Sequence, residues 1–551
     1  MRKKRTELSV SERCRRRDHS FQRRVIFSFG GFALLFTFLY LRLGYLTQSD
    51  ALLEAAQQQK RYTLTVSESR GAIYDCNFLP LADTFSETRY AVIPSVENAE
   101  AVLDATPASR RAQVGELIAA GKPFLLSGVG QIDAVGVEAF EVPVRTAVPQ
   151  LAPHIVGYLD SSGHGVSGIE ESFDAFLSAD PAVTEISCQL DALGHNISGL
   201  TPEIRQEAPS AAGVVLTIDS NIQKVVENVG YRLLEKGAIV VMDPYTGEIK
   251  ASASFPAYTM DNLSEAVIDE EGTPMINRAL LPFSVGSTFK VVTAAAALEQ
   301  GLPLDAVYEC TGQIDVGGQI IRCHRRSGHG KVDMIDAMMK SCNPYFIQLA
   351  LQVGGDALLE MAERFGFGEK LPLSEGLYGA AGSLPAESEM INPAAVANLS
   401  FGQGDLMASP LQVTRMMAAA CNGGLLVTPR LVLGTTRDGQ VVTPEATVPA
   451  KQILSPAIAS QLQSLLIHCV MVEEGQNALP ENTTAGGKTA TAQTGRFEGE
   501  EEYEHGWFSG FFPASSPKYV VTVLSEDSGF GNETAAPVFA EIAEEITAHG
   551  W

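Results

Sequence analysis

Positive charge is scarce along most of this 551-residue chain: past residue 24 it carries 30 basic side chains against 62 acidic ones. A body that acidic is repelled by phosphate backbones, which argues against nucleic acid as a partner. Cysteine is also thin and unevenly placed. Of the eight present, Cys14 lies in the basic N-terminus, and the odd seven that follow cannot all pair as disulfides. Long apolar runs are rarer still, because nothing approaches Val25–Leu46 in length. Otherwise 45% hydrophobic and 19% charged residues are ordinary for a globular protein and exclude wholesale disorder. The length implies two or three folded units.

What positive charge exists gathers at the start, with ten basic and three acidic side chains in the first 24 residues, directly before the apolar run. The 22 residues from Val25 to Leu46 would span about 33 Å as a helix, against about 30 Å of bilayer hydrocarbon. Arg42 is expected to snorkel, with Tyr40 and Tyr45 at the interface. The run is longer than a signal-peptide core and no small-x-small cleavage site follows it, which favours a retained anchor. The excess of cations before the run then leaves residues 1–24 as a cytoplasmic tail, 25–46 as a single-pass anchor and the rest outside the membrane.

From 47 to 212 short strands and helices mix without a chemical motif. Gln206–Gly213, rich in Ala with Pro209 and Ser210, reads as a linker, and a second domain is expected over 213–551. There Val214–Ile218 reads as a strand. Asp219 or Ser220 can cap a helix with Ile222, Val225, Val229 and Leu233 on its apolar face. Ala238–Met242 and Glu248–Ser254 read as strands joined by a turn, and strand signals return at Lys488–Gln493, Trp507–Phe512 and Tyr519–Leu524. Helical patterns fill much of 287–420 and close the chain from Pro537. Strands at both ends of a helical middle predict an α+β domain, an antiparallel sheet covered by helices.

Three short motifs fall in this domain. Ser287-Thr288-Phe289-Lys290 opens a helical stretch, so Lys290 lies on the same face as the Ser287 hydroxyl, and the helix N-terminus favours a developing alkoxide. Alone this spacing is common. Ser341-Cys342-Asn343 and Lys488-Thr489-Ala490-Thr491 follow in the order S-x-x-K, S-x-N, K-T-G used by serine acyl-transferases that act on β-lactams and D-alanyl peptides.

With Ile276-Asn277-Arg278-Ala279, Phe401-Gly402-Gln403-Gly404, Ser409-Pro410-Leu411-Gln412, Asn422-Gly423-Gly424 and Trp507-Phe508-x-Gly510-Phe511, these motifs resemble class B penicillin-binding proteins over nearly the whole chain. Arg70-Gly71-x-Ile73-x-Asp75 and Gly168-Ile169-Glu170 are similar to that family's pedestal, or dimerisation, domain. The resemblance implies a D,D-transpeptidase that cross-links peptidoglycan stem peptides. Ser287 would be the nucleophile, Lys290 its base, Ser341 a proton relay and Asn343 an orienting group. Lys488 and Thr489 would take the substrate carboxylate, and the N–H groups of Ser287 and Thr491 would form an oxyanion hole. No cofactor is required for that chemistry. The expected partners are stem peptides, β-lactams and a membrane-embedded glycan polymerase of the shape, elongation, division and sporulation family. The stretch around Gly328-His329-Gly330 looks more like elongation-type or sporulation-type members than septal ones.

About 160 residues between anchor and linker leave no room for a glycosyltransferase domain, as the bifunctional class A relatives have. A D,D-carboxypeptidase, a β-lactam sensor or an idle scaffold would share the fold. The long pedestal, the absence of a signalling domain before the anchor and the intact reactive residues each weigh against one of them. Two positions depart from the family pattern. Ala490 stands for the glycine of K-T-G, adding a methyl where substrate and sheet pack closely, and Val285 stands for a proline. Neither removes a reactive group.

Between the first two motifs, Cys310, Cys323, His329 and Cys342 form C-x12-C-x5-H-x12-C, a ligand set for structural zinc, with His324 as an alternative ligand. A Cys310–Cys323 disulfide or plain buried thiols are the other readings.

Overall fold

The computed structural model describes residues 10–47, 61–145, 150–190, 201–207, 211–471 and 477–551. Val10–Thr47 form one helix, α1. Its Phe21–Thr47 portion, 27 residues of hydropathy 1.8, is the one stretch among the described residues long and apolar enough to cross a membrane. Phe27, Phe29, Leu34 and Phe38 on it are all exposed, whereas a soluble protein's apolar helix would be covered by its own core. Arg42 packs its guanidinium 5.7 Å from the Tyr45 ring.

The chain forms two compact units, and no single cut separates them. The first gathers Met1–Glu68, Thr88–Val142 and Val183–Glu207; the second gathers Ser69–Glu87, Pro143–Ala182 and Ala208–Trp551. In the first, Arg89–Val92 pairs antiparallel with Phe124–Ser127. Val102 and Val114, from helices Ala99–Ala105 and Arg111–Ala119, pack on Tyr90, Val92 and Leu126 of that ribbon.

The second unit is built on a five-stranded antiparallel sheet. Its strands are β1 (Gly237–Met242), β2 (Ile249–Phe255), β3 (Gly486–Glu498), β4 (Glu501–Phe512) and β5 (Tyr519–Ser525), in spatial order β2-β1-β5-β4-β3. Helices α2 (Ser220–Leu233) and α7 (Ala536–Ala548) cover one face, burying Ile239, Val241, Phe508, Phe512 and Val521. The other face lies under α3 (Lys290–Glu299), α4 (Asn343–Val353), α5 (Pro410–Cys421) and α6 (Pro456–Met471), with Trp507, Phe511, Val520 and Leu524 in the larger core. Alternate side chains therefore meet apolar partners on both faces, which is why β1 and β5, inside the sheet, read as near-continuous apolar runs. Asp219 caps α2, accepting from Asn221 N. The buried stripe of α2 differs from the one expected: Ile222, Val226, Val229 and Gly230 face in, and Leu233 is 41% exposed. Phe255 is the reason, because its ring lies where a Cβ on Gly230 would be, 2.1 Å away.

Two stretches that the sequence places within 47–212 pack with this second unit. Ala72–Tyr74 runs parallel to Gly213–Leu216, which pairs antiparallel with Val432–Thr436. Fully buried Glu170 accepts from Arg145 Nε at 2.6 Å and lies 3.4 Å from Arg70. Arg145 also reaches Asp83 at 2.5 Å, and Arg70 reaches Asp174 at 2.8 Å. Asp75 accepts from Ser220 Oγ at 2.7 Å at the start of α2. A linker is visible in local composition; a strand that returns to pair after 140 residues is not.

Arg278, 2% exposed, holds the segment that leads to the first motif. It donates to Glu526 Oε2 at 2.5 Å, Thr273 Oγ1 at 2.6 Å, Gly272 O at 3.0 Å and Thr273 O at 3.2 Å. Arg278→Ala is expected to destabilise this unit by about 3 kcal/mol, since it strands Glu526 and two carbonyls. Arg278→Lys should recover only part, because an ammonium cannot span that fork. Urea unfolding followed by Trp507 fluorescence measures both.

Candidate active site and metal-ligating cluster

Ser287 sits in a 3-10 turn, Gly286–Phe289, that runs into α3. Residues three apart eclipse in such a turn, which stacks Lys290 beneath Ser287. The turn is pressed against two backbones. Gly286, at φ 63°, lies where a Cβ would come within 3.0 Å of Thr491 O on β3. Behind it, Gly286 N donates to Gly402 O at 2.9 Å, and a Cβ on Gly402 would overlap Gly286 O at 2.0 Å. The Phe401–Gly404 stretch thus works by close approach. Trp507 Nε1 donates to Ser284 O at 2.9 Å and ties β4 to the same segment. Ser287 itself is half-buried.

Lys290 is fully buried; its Nζ donates to Asn343 Oδ1 at 2.7 Å and Ser341 O at 2.8 Å, and lies 3.1 Å from Ser341 Oγ. Burial, and then the Lys488 charge nearby, hold its amine well below the ordinary lysine range. Ser341 adopts the left-handed conformation, φ 47°, between α4 and the helix Met334–Met339. That geometry turns both its carbonyl and its hydroxyl toward Lys290, at a cost of about 1–2 kcal/mol. Lys488, 2% exposed, lies on β3 and donates to Thr489 O at 3.0 Å. Thr489 and Thr491 are half-buried, with Thr489 Oγ1 3.5 Å from Lys488 Nζ. The residues of all three motifs therefore meet where α3, α4 and β3 converge. The methyl of Ala490 is 3% exposed and belongs to the apolar core, alongside Trp507 and Ala492. Val285, fully buried, joins that core too.

Two neighbours of the site carry no signal in the sequence. Gly531 N donates to Thr491 Oγ1 at 3.3 Å, and only a glycine fits there, because a Cβ would come within 2.2 Å of Ala490 O. Cys469, on α6, is buried beside both lysines. Burial pushes its thiol up to about 11 despite the lowering effect of Lys488 and Lys290.

Cys310, Cys323, His329 and Cys342 bring their ligand atoms within 4.8 Å of one another, and all three thiols are free and buried. His329 Nδ1 is 3.7 Å from Cys310 Sγ and 3.5 Å from Cys323 Sγ. Tetrahedral zinc with bonds of about 2.3 Å to sulfur and about 2.0–2.1 Å to nitrogen needs S···N separations of about 3.5 Å, so the donor set fits such an ion. A hydrogen bond between Cys342 and Cys323 pulls the Cys323 thiol down and pushes the Cys342 thiol up. His324 lies beside the cluster, its Nδ1 3.9 Å from Cys323 Sγ.

Residues 237–544 match the penicillin binding protein transpeptidase domain. Stage V sporulation protein D of Bacillus subtilis is 28% identical over 552 residues, 92% of this chain and 83% of that one. Peptidoglycan D,D-transpeptidase PbpA of Mycobacterium tuberculosis is 30% identical over 358 residues, covering 59% of this chain and 72% of that one. Among solved structures, a chain from a peptidoglycan synthase complex coordinating polymerization and crosslinking shares the fold, with TM-score 0.65 and 24% identity, over 95% of this chain and 98% of that one. The chain belongs to the penicillin-binding protein transpeptidases, in their class B branch.

Proposed function

We propose that this enzyme cross-links peptidoglycan stem peptides through an acyl-enzyme on Ser287, and that β-lactams acylate the same serine. The observation that carries the reading is Lys290, a fully buried amine held below its ordinary range and aimed by Ser341 and Asn343. Neutral Lys290 accepts the Ser287 proton as Oγ attacks the penultimate D-Ala carbonyl. The oxyanion is met by the N–H groups of Ser287 and Thr491. As the C–N bond breaks, Ser341 passes a proton to the leaving D-Ala nitrogen. Lys488 and Thr489 bind the terminal carboxylate, and Asn343 orients the substrate amide. An amine of a second stem peptide then attacks the ester, releasing Ser287.

Residues 1–24 form the cytoplasmic tail, 25–46 the anchor, 47–212 the pedestal and 213–551 the transpeptidase domain outside the membrane, with a glycan polymerase reached through anchor and pedestal. Cys310, Cys323, His329 and Cys342 hold a structural zinc ion. Cys342 directly follows Ser341, so that cluster fixes the second motif against the loop carrying Cys323 and His329.

The test is a fluorescent penicillin followed by intact-mass and peptide mapping. One adduct per chain, on the peptide containing Ser287, is expected; an adduct on another serine, or folded protein with none, would sink the reading.

A further inference from the structure

Arg322–Lys331 packs Arg322, Arg325, Arg326, Lys331 and two histidines into ten residues of a strongly acidic body. The four cations are exposed, and none forms an ion pair among the described residues. Several other arginines of the same unit are partnered, Arg145, Arg278, Arg364, Arg415 and Arg496 each holding a carboxylate, whereas Arg430 and Arg437 hold none among the described residues. A zinc ion with three thiolates and an imidazole carries one net negative charge, so the cluster accounts for one of the four cations at most.

The patch is presented on a fixed frame. Gly312 and Gly328, at φ 96° and 78°, face each other so closely that a Cβ on Gly312 would sit 2.1 Å from Arg326 O, and one on Gly328 2.3 Å from Cys310 O. Cys323 N donates to Gly312 O at 2.9 Å, and Gly328 N to Arg325 O at 3.0 Å. Cys323 and His329 bracket Arg325 and Arg326, and both belong to the cluster that contains Cys342, the neighbour of Ser341. Arg325 and Arg326 thus lie in a turn tied through Cys323 and His329 to the residue after Ser341, with Arg322 at one end and Lys331, paired across the ribbon with Glu309, at the other.

We infer that this patch docks the carboxylates of uncrosslinked peptidoglycan strands, so that a stem peptide adjoining the one at Ser287 is held while the enzyme works along the strand. The inference rests on the transpeptidase reading. Each stem peptide awaiting reaction ends in a carboxylate, and a strand repeats it. The acidic body repels such a polymer elsewhere and steers it here, where arginine forks match carboxylates.

The experiment uses the full chain in detergent with soluble uncrosslinked strands, either native or with their carboxylates amidated. It compares wild type with the combined Arg322→Gln, Arg325→Gln, Arg326→Gln variant. Strand affinity is read by fluorescence anisotropy and site integrity by the rate of penicillin acylation. The variant is expected to bind native strands about tenfold more weakly at low salt, to match wild type on amidated strands, and to react with penicillin within about twofold of wild type. Lys331→Gln, outside the bracketed turn, should lose about twofold on native strands alone. Equal binding of native strands by wild type and variant overturns the inference, as does an equal deficit on amidated strands. Wild type that prefers anionic-lipid vesicles or a phosphodiester polymer to strands overturns it as well. Wild type that takes no penicillin would overturn the transpeptidase reading instead, and the strand-binding comparison would still be read.

Discussion

Lys290→Ala slows penicillin acylation of Ser287 by about 10³-fold or more, while Ser287→Ala leaves no adduct at all. The lysine variant loses the base and more. Lys290 Nζ donates to Ser341 O and Asn343 Oδ1 and lies beside Ser341 Oγ, so removing it also frees the second motif. Lys290→Arg separates the two effects. It keeps a cation for the Ser341 carbonyl but stays protonated, and it should be as slow as alanine if proton acceptance is the larger part. The pH profile of wild type gives the sign independently. The amine's folded value lies below the ordinary one, so the competent neutral form dominates above it and is lost as pH falls through it. On that limb the acylation rate should drop about tenfold per pH unit. Lys488→Ala removes the second cause of the depression, so the limb should move to higher pH. Stopped-flow acylation across pH resolves these effects, and a flat profile with a near-normal Lys290→Ala rate would place the base elsewhere.

The candidate site was readable where its residues are local. Ser287 and Lys290 are three apart and share a turn, and Thr489 adjoins Lys488; a short string encodes each of these relations. The partner of Lys290 was legible only by family pattern, because Ser341 and Asn343 lie some fifty residues away. The α+β sheet was legible too, from near-continuous apolar runs in β1 and β5 and β-prone, turn-bounded stretches in the other strands. What the string concealed is set by packing. Whether the Ala490 methyl faces substrate or core depends on the register of β3 with β4, where Ala490 pairs with Trp507. Gly531 matters because β3 and β4 press on its Cα, and nothing in Phe530-Gly531-Asn532 announces that. Glu170 ties Ser69–Glu87 and Pro143–Ala182 to each other through ion pairs, and Asp75 and a parallel strand hold them to the rest of the second unit. The Arg70–Asp75 stretch thus has structural work to do with no reactive group in it.

Protein purified without chelator is expected to carry close to one zinc per chain, and Cys323→Ser to carry little or none. The loss should be felt at Ser287 even though no ligand touches it. Cys342 lies between Ser341 and Asn343, and Ser341 occupies a strained backbone conformation that its surroundings must enforce. With one ligand gone, the Cys310–His329 loop is no longer tied to that strained residue. Penicillin acylation should then fall about 10–100-fold, and the thermal midpoint by roughly 5 °C or more. Cys188→Ser, at a buried thiol of the first unit, is the control expected to leave zinc and rate unchanged. Metal content by mass spectrometry should also fall as pH is lowered, because the thiolates and the imidazole must shed protons to bind and regain them in acid. Thiol titration of denatured wild type decides against the disulfide. A Cys310–Cys323 bridge hides two thiols and leaves a protein indifferent to chelator. The zinc site instead leaves every thiol titratable, and chelation reproduces the slow acylation of Cys323→Ser in the unmodified chain.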